Sequence, residues 1–221
     1  MLAAMRIGVL GATGPAGRGL AARLADSGFE VLAGSRDRER AAEVVAGLAG
    51  RWGDRVAGIH PVGNHDACAA EVVVLAVQAD AALATARYFS DQLVGRIVVS
   101  MANKLVRNGD EYNAVLPPHG SIAKEMQALL WRSKVCTAFH LVPAAEFADL
   151  ARDMESDVVA CGDDDGARRT LMEIIAAIRN LRAFDGGSLE NAVGMETFAA
   201  VLLTINLRHR VRAGLRLGGI P

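Results

Sequence analysis

The chain has 221 residues, 52% apolar and 22% charged, with a formal net charge of −1. That suits one large domain, or a domain with a small appendage, around a core of ordinary size. The near-neutral charge gives no basis for a nucleic-acid partner, and the longest apolar run before the C-terminus, Val72–Val77, is far shorter than the roughly 18 residues of a membrane span.

The chain opens with an apolar strand, Ile7–Leu10, followed by a glycine turn, Gly11-Ala12-Thr13-Gly14-Pro15-Ala16-Gly17. A helical run from Arg18 to Ser27 places Leu20 and Leu24 on one face, and a second strand, Glu30–Ala33, leads into Gly34-Ser35-Arg36. This is the layout of a βαβ unit that holds a dinucleotide pyrophosphate. A helix is expected over Asp37–Trp52, a strand over Val56–Val62, and a short helix capped by Asn64. Glu71–Val77 reads as a strand buried on both faces of a parallel sheet. A helix over Ala79–Phe89 and a strand over Arg96–Ser100 complete a doubly wound half.

Residues 101–120 break the rhythm with Asn103, Asn108, Gly109, Asp110, Pro117, Pro118 and Gly120. A long functional loop is expected there, leaving the strand end at which open α/β sheets bind ligands. Ser121 caps a helix to about Arg132, and a strand over Ser133–Ala138 leads into Phe139-His140-Leu141-Val142-Pro143. Beyond it come a strand over Asp157–Cys161, an acidic cap at Gly162–Asp165, a helix to Asn180, and a strand over Leu181–Phe184. Ser188 starts a last helix running to about Arg212. The fold expected is Rossmann-like α/β, with residues 1–142 binding the dinucleotide and residues 143–221 forming a small C-terminal α/β domain that ends in a long helix.

The glycine turn lets a pyrophosphate approach backbone N–H groups at a helix N-terminus. Gly11, Thr13, Gly14, Pro15, Ala16 and Gly17 are therefore the candidate phosphate-binding residues. The second strand ends in Ser35-Arg36, with Arg40 one turn on, where an NAD-binding chain carries an acid. A hydroxyl and two guanidiniums would bind a 2′-phosphate that an acid would repel, so NADP is the expected coenzyme.

Familiar reductase machinery is missing. Tyr88 and Tyr112 have no lysine at the short-chain-dehydrogenase offset, and no Cys or His set has zinc-ligand spacing. Cys68, Cys136 and Cys161 read as reduced, buried thiols of a cytoplasmic protein, and Met1–Ala4 is too short for a leader's apolar region. A dinucleotide enzyme without an evident acid or base can work if its partner needs only a hydride and correct placement.

Several segments resemble the coenzyme F420-dependent NADP oxidoreductases. They are Met5–Gly14 with Gly34-Ser35-Arg36, Phe139–Phe147, Val159–Asp165, Leu189-Glu190-Asn191, and the ending Ala213–Ile220. The resemblance implies a hydride passed between NADP(H) and the 8-hydroxy-5-deazaflavin F420, with the two rings stacked in a cleft between the two parts of the chain. Thr13, Ser35, Arg36 and Arg40 match the family's NADP positions. Val77 and Gln78 match its nicotinamide side, adjoined by Ser100, while His140 and Val142 match the segment facing the deazaflavin. Residues 101–120 follow no fixed family pattern. No residue is assigned a proton-transfer role; His140 is the nearest candidate for a group in contact with the reacting ring. No metal is expected.

The last helix carries Phe198-Ala199-Ala200-Val201-Leu202-Leu203 with Ile205 and Leu207, apolar in nearly every direction, and predicts a homodimer. Arg208, Arg210, Arg212 and Arg216 either complement that helix's C-terminus or meet the anionic tail of the deazaflavin. Two rival readings are an NADPH-dependent imine or carbonyl reductase related to pyrroline-5-carboxylate reductase, and a non-catalytic NADP(H) sensor. The first lacks the long all-helical dimerisation domain it needs, and the ordered second half speaks against the second.

Overall fold

A computed structural model describes residues 5–220; Met1–Ala4, weighed above as a leader, lie outside the described residues. The first unit is β1 (Arg6–Leu10), α1 (Pro15–Asp26) and β2 (Glu30–Ser35). Helix α1 starts at Pro15, three residues before the expected Arg18, because proline at its N1 position is preset for a helix. Next come α2 (Arg38–Trp52), β3 (Ile59–Gly63), α3 (Asn64–Ala67), β4 (Val72–Leu75), α4 (Ala79–Tyr88) and β5 (Ile97–Ser100). Val56, expected in a strand, closes a 3-10 turn, and Asn64 is the first residue of α3 after Gly63 rather than its cap. All four residues of β4 are buried, and the strand stops at Leu75, leaving Val77 and Gln78 in the turn before α4.

Two strands, β6 (Leu105–Asn108) and β7 (Glu111–Ala114), occupy the stretch expected to be a loop. They pair antiparallel, Asn108 opposite Glu111, across a turn with Gly109 at φ +62°. The Tyr112 N–H donates to Thr204 Oγ1 at 2.9 Å, which ties the hairpin to the last helix. The remaining elements are α5 (Ile122–Leu129), β8 (Lys134–Thr137), α6 (Ala144–Phe147), β9 (Ser156–Gly162), α7 (Asp165–Ala177), β10 (Leu181–Asp185) and α8 (Ala192–His209). Helix α8 begins after a 3-10 turn at Leu189–Asn191 and stops at Arg210, whose φ of +53° ends the helical path.

Among the described residues ten strands form an eight-stranded sheet, ordered β10-β9-β8-β5-β4-β1-β2-β3, and the separate hairpin. Every pair in the large sheet is parallel except β8–β9. The position after residue 142 falls between β8 and β9, and the sheet runs through it. The chain's order therefore reverses between β1 and β4, the switch point at which open α/β sheets take their ligands. Apolar layers cover both faces, one gathering Ile7, Leu20, Val74 and Phe147, the other Leu10, Val73, Leu93 and Met126.

Two polar anchors tie the last third of the chain to the sheet. Glu196, buried on α8, accepts from the Ile122 and Ala123 N–H groups at 2.7 and 3.0 Å, and so caps α5 together with Ser121, whose hydroxyl accepts from the Lys124 N–H. The buried Asp157 carboxylate accepts a fork from Arg182, both bonds at 2.8 Å, and also the Leu217 N–H. The Asp157 N–H donates to the Leu215 carbonyl, which holds the C-terminal segment along β9.

Candidate functional site

The candidate residues converge on one edge of the sheet, where β2, β1, β4, β5 and β8 end in that spatial order. The turn after β1 is closed by the Gly14 N–H donating to the Gly11 carbonyl at 3.0 Å. Gly11 has φ +86°, and a Cβ there would lie 2.6 Å from the Ala76 carbonyl, so only glycine lets this turn abut the turn after β4. A Cβ at Gly17 would meet the Gly11 carbonyl at 2.3 Å, which fixes the helix against the turn. No side chain caps α1 and no acid stands in its first turn, so its leading N–H groups and positive dipole end suit a phosphate. Thr13, Gly14 and Ala16 are half-buried and Pro15 exposed along that surface.

At the end of β2 the Ser35 hydroxyl accepts from the Asp37 N–H at 3.2 Å, which leaves its own hydrogen to donate. Asp37 caps α2, accepting from the Glu39 and Arg40 N–H groups. Arg36 and Arg40 are exposed, and neither enters an ion pair among the described residues. One free hydroxyl donor and two unengaged guanidiniums fit a terminal phosphate on a ribose.

Val77 is half-buried and Gln78 exposed at the N-cap of α4. Ser100 is completely buried: its hydroxyl accepts from the Ala102 N–H at 3.3 Å and its carbonyl from the Thr137 hydroxyl at 3.1 Å. It stands under the site's floor, with its side chain engaged inside the protein.

The segment after β8 turns sharply at Phe139, a non-glycine residue at φ +68°. That turn folds His140 back over its own strand, so Nε2 lies 2.9 Å from the Thr137 hydroxyl. Burial pushes the imidazole down to about 4, although a hydrogen bond to the Ala102 backbone pulls the other way. His140 is therefore neutral at physiological pH, with one edge still accessible. A cleft beside it is lined by Leu141, Val142, Val159 and Met195, with Asp157 as its one charged residue, and Val142 itself is 8% exposed.

Thr137, Ala102 and Glu196 take part in this arrangement without having been singled out in the sequence. Glu196 is the other strongly perturbed group here, pushed up to about 7 by burial, although the two backbone N–H groups it accepts from pull it down. All three cysteines are buried and their thiols are pushed up, to about 11 or 12, by burial, which makes them unreactive. Arg208 pairs with Asp110 and Glu111, Arg212 with Glu146 and Arg216 with Asp157, so three of the four C-terminal arginines bind acids of their own chain. Among the described residues no cluster of potential metal ligands occurs, and no helix is long and apolar enough to cross a membrane.

A family model described as NADP oxidoreductase coenzyme F420-dependent matches residues 6–104. The chain is 33% identical over 219 residues to an F420-dependent NADP reductase of Methanocaldococcus jannaschii, covering 96% of this chain and 98% of that one. It is 32% identical to an F420-dependent NADP reductase of Methanothermobacter thermautotrophicus, covering 98% and 96% respectively. A crystal structure from an Arthrobacter species, provisionally described as an F420-dependent NADP reductase, superposes with a TM-score of 0.73 at 27% identity over 93% of each chain.

Proposed function

This chain belongs to the coenzyme F420-dependent NADP oxidoreductase family, and from that premise we propose that it transfers a hydride between NADP(H) and the deazaflavin F420. One observation carries the reading. The phosphate-type group of Ser35, Arg36 and Arg40 and the neutral His140 stand at the ends of β2 and β8, on one sheet edge. Four strand spacings separate those ends, roughly 19 Å at ~4.8 Å each. That is room for an extended dinucleotide with a second ring system beyond its nicotinamide.

Bound NADPH would supply a hydride from its nicotinamide C4 to C5 of the deazaflavin. The protein's part is placement. The α1 N-terminus and Thr13 hold the pyrophosphate, and Ser35, Arg36 and Arg40 select the 2′-phosphate. Val77 and Gln78 back the nicotinamide, while His140 and Val142 wall the deazaflavin side. A neutral imidazole places no charge beside the rings, and Leu141, Val142 and Val159 give that side an apolar wall that limits water at the transfer. Residues 143–221 complete the cleft, and the apolar outer face of α8 mates with a second copy of the chain.

Mixing the protein with NADPH and oxidised F420 should bleach the deazaflavin's visible absorbance. Persistent absorbance, with turnover of a cyclic imine instead, would move the assignment to the imine reductases.

A further inference from the structure

Arg23 is a charged residue on the apolar face of α1, between Leu20 and Leu24, and it is 3% exposed. Its guanidinium contacts no carboxylate directly among the described residues; Asp26, Asp149 and Glu146 act on it only at longer range. It donates instead to four peptide carbonyls: Phe147 at 3.2 Å, Glu146 at 2.9 Å, Asp149 at 2.5 Å and Arg152 at 3.0 Å. These are the last carbonyls of α6 and of the turn that follows; the Glu146 and Asp149 carbonyls also accept from the Asp149 and Arg152 N–H groups, so the guanidinium gathers a stretch that is only loosely bonded to itself. A guanidinium is suited to them because it presents several donors in one rigid plane.

The contact is close because Gly19 lies one turn earlier on the same face of α1. A Cβ there would fall 2.7 Å from the Phe147 Cβ and 2.9 Å from the Ala148 nitrogen. Phe147 is fully buried, and its ring meets that of Phe139 edge-on at 5.8 Å. Phe139 is the left-handed residue that turns the chain toward His140. A continuous set of contacts therefore runs from α1, through Gly19 and Arg23, to Phe147, Phe139 and His140.

We propose that Arg23 is a positioning residue for hydride transfer: from the helix whose N-terminus receives the coenzyme's pyrophosphate, it holds the strained turn that presents His140. One element then carries the nicotinamide coenzyme and braces the wall of the deazaflavin site. This rests on the reading of His140 given under Proposed function.

The test uses Arg23→Lys, which keeps the charge but loses the fork, and Gly19→Ala, which pushes α6 outward. Three quantities are measured: the NADPH dissociation constant, the KM for F420, and the pH titration of the His140 ring by NMR without any cofactor. Both variants should raise the F420 KM roughly tenfold, as expected of a wall misplaced by a fraction of an ångström, and leave NADPH affinity within about twofold. The His140 titration should move up from about 4 toward the ordinary ~6.5 as the turn loosens. A lower unfolding midpoint with unchanged KM and unchanged titration would make Arg23 a purely structural clamp and overturn the proposal. Equal loss of affinity for NADPH and F420 would overturn it as well. If the wild type fails to bleach F420 while the His140 titration still moves, the brace stands and the hydride-transfer reading falls.

Discussion

The His140 imidazole rests against the Thr137 hydroxyl, Nε2 to Oγ1 at 2.9 Å, three residues apart across the left-handed turn at Phe139. The same hydroxyl also meets the Ser100 carbonyl, at 3.1 Å, so one oxygen links the ring to the end of β5. Ser100 and Thr137 are register partners on β5 and β8, which ties the ring to the two strand ends beneath it. Thr137→Val keeps the shape but leaves a ring nitrogen without its partner, at a cost of ~1–3 kcal/mol. The expected result is an F420 KM raised about tenfold with NADPH binding preserved, and recovery in Thr137→Ser. His140→Ala should show the same split, raising the F420 KM more than it lowers NADPH affinity.

His140 and Glu196 make the stability of the fold depend on pH in opposite directions. His140 titrates at about 4 in the folded chain, below its ordinary 6.5, so the unfolded chain binds the extra proton between those values. Its contribution is complete above 6.5 and is lost as pH falls toward 4. Glu196 titrates at about 7 in the folded chain, above its ordinary 4.5, so here the folded chain holds the extra proton. Its contribution is complete below 4.5 and is lost as pH rises toward 7. The two slopes offset each other across their shared window. Urea unfolding at several pH values should therefore give Glu196→Gln a stability that rises from pH 4.5 to 6.5, and His140→Gln one that falls. Parallel slopes in the two variants would contradict this assignment.

Much of this architecture is legible in the chain. Unbroken apolar runs such as Val72–Leu75 mark strands buried on both faces, and Gly11 and Gly17 mark the turn where a Cβ would collide. The hairpin at 105–114 was legible in principle, since Gly109-Asp110 is a two-residue hairpin loop, but its strands carry mixed polar residues and no clean alternation. Arg23 announces itself only as a misplaced charge on an apolar helix face, because its partners lie more than a hundred residues away. Glu196 is hidden for the same reason: nothing near it in sequence reveals that α8 crosses the start of α5. Ser100 shows the converse, a polar residue at the expected strand end whose side chain turns inward to its own neighbour.

Coenzyme choice should rest on Arg36. The guanidinium is exposed, forms no ion pair among the described residues, and follows a serine whose hydroxyl hydrogen is free. Arg36→Asp replaces attraction for a 2′-phosphate with repulsion. Hydrogen bonds to a charged group contribute ~1.5–3 kcal/mol, so NADPH affinity should fall roughly ten- to hundredfold while NADH affinity holds or rises. Equilibrium fluorescence titration with both coenzymes measures the preference, and retained NADPH affinity would remove Arg36 from the phosphate site.

The outer face of α8 should be a subunit interface. Phe198, Val201 and Ile205, three and four residues apart on one face of this helix, are 38–50% exposed, although the side carrying Ala199 and Ala200 is buried. Large apolar side chains gathered on one helix are unfavourable in water unless a partner covers them. The hairpin lies beside this helix, joined through Tyr112 and Thr204 and through Arg208 with Asp110 and Glu111, and it adds Val106 at 50% exposure. A second copy meeting this face would press on α8, whose Glu196 holds α5 and whose Met195 lines the cleft beside His140. Val201→Glu places a charge in the centre of the face and leaves the buried side untouched. Sedimentation at micromolar concentration should give a dimer for the wild type and a folded monomer for the variant. The monomer should retain NADPH binding, which involves the far edge of the sheet, and lose F420 affinity as α8 loosens. A monomeric wild type would refute the interface.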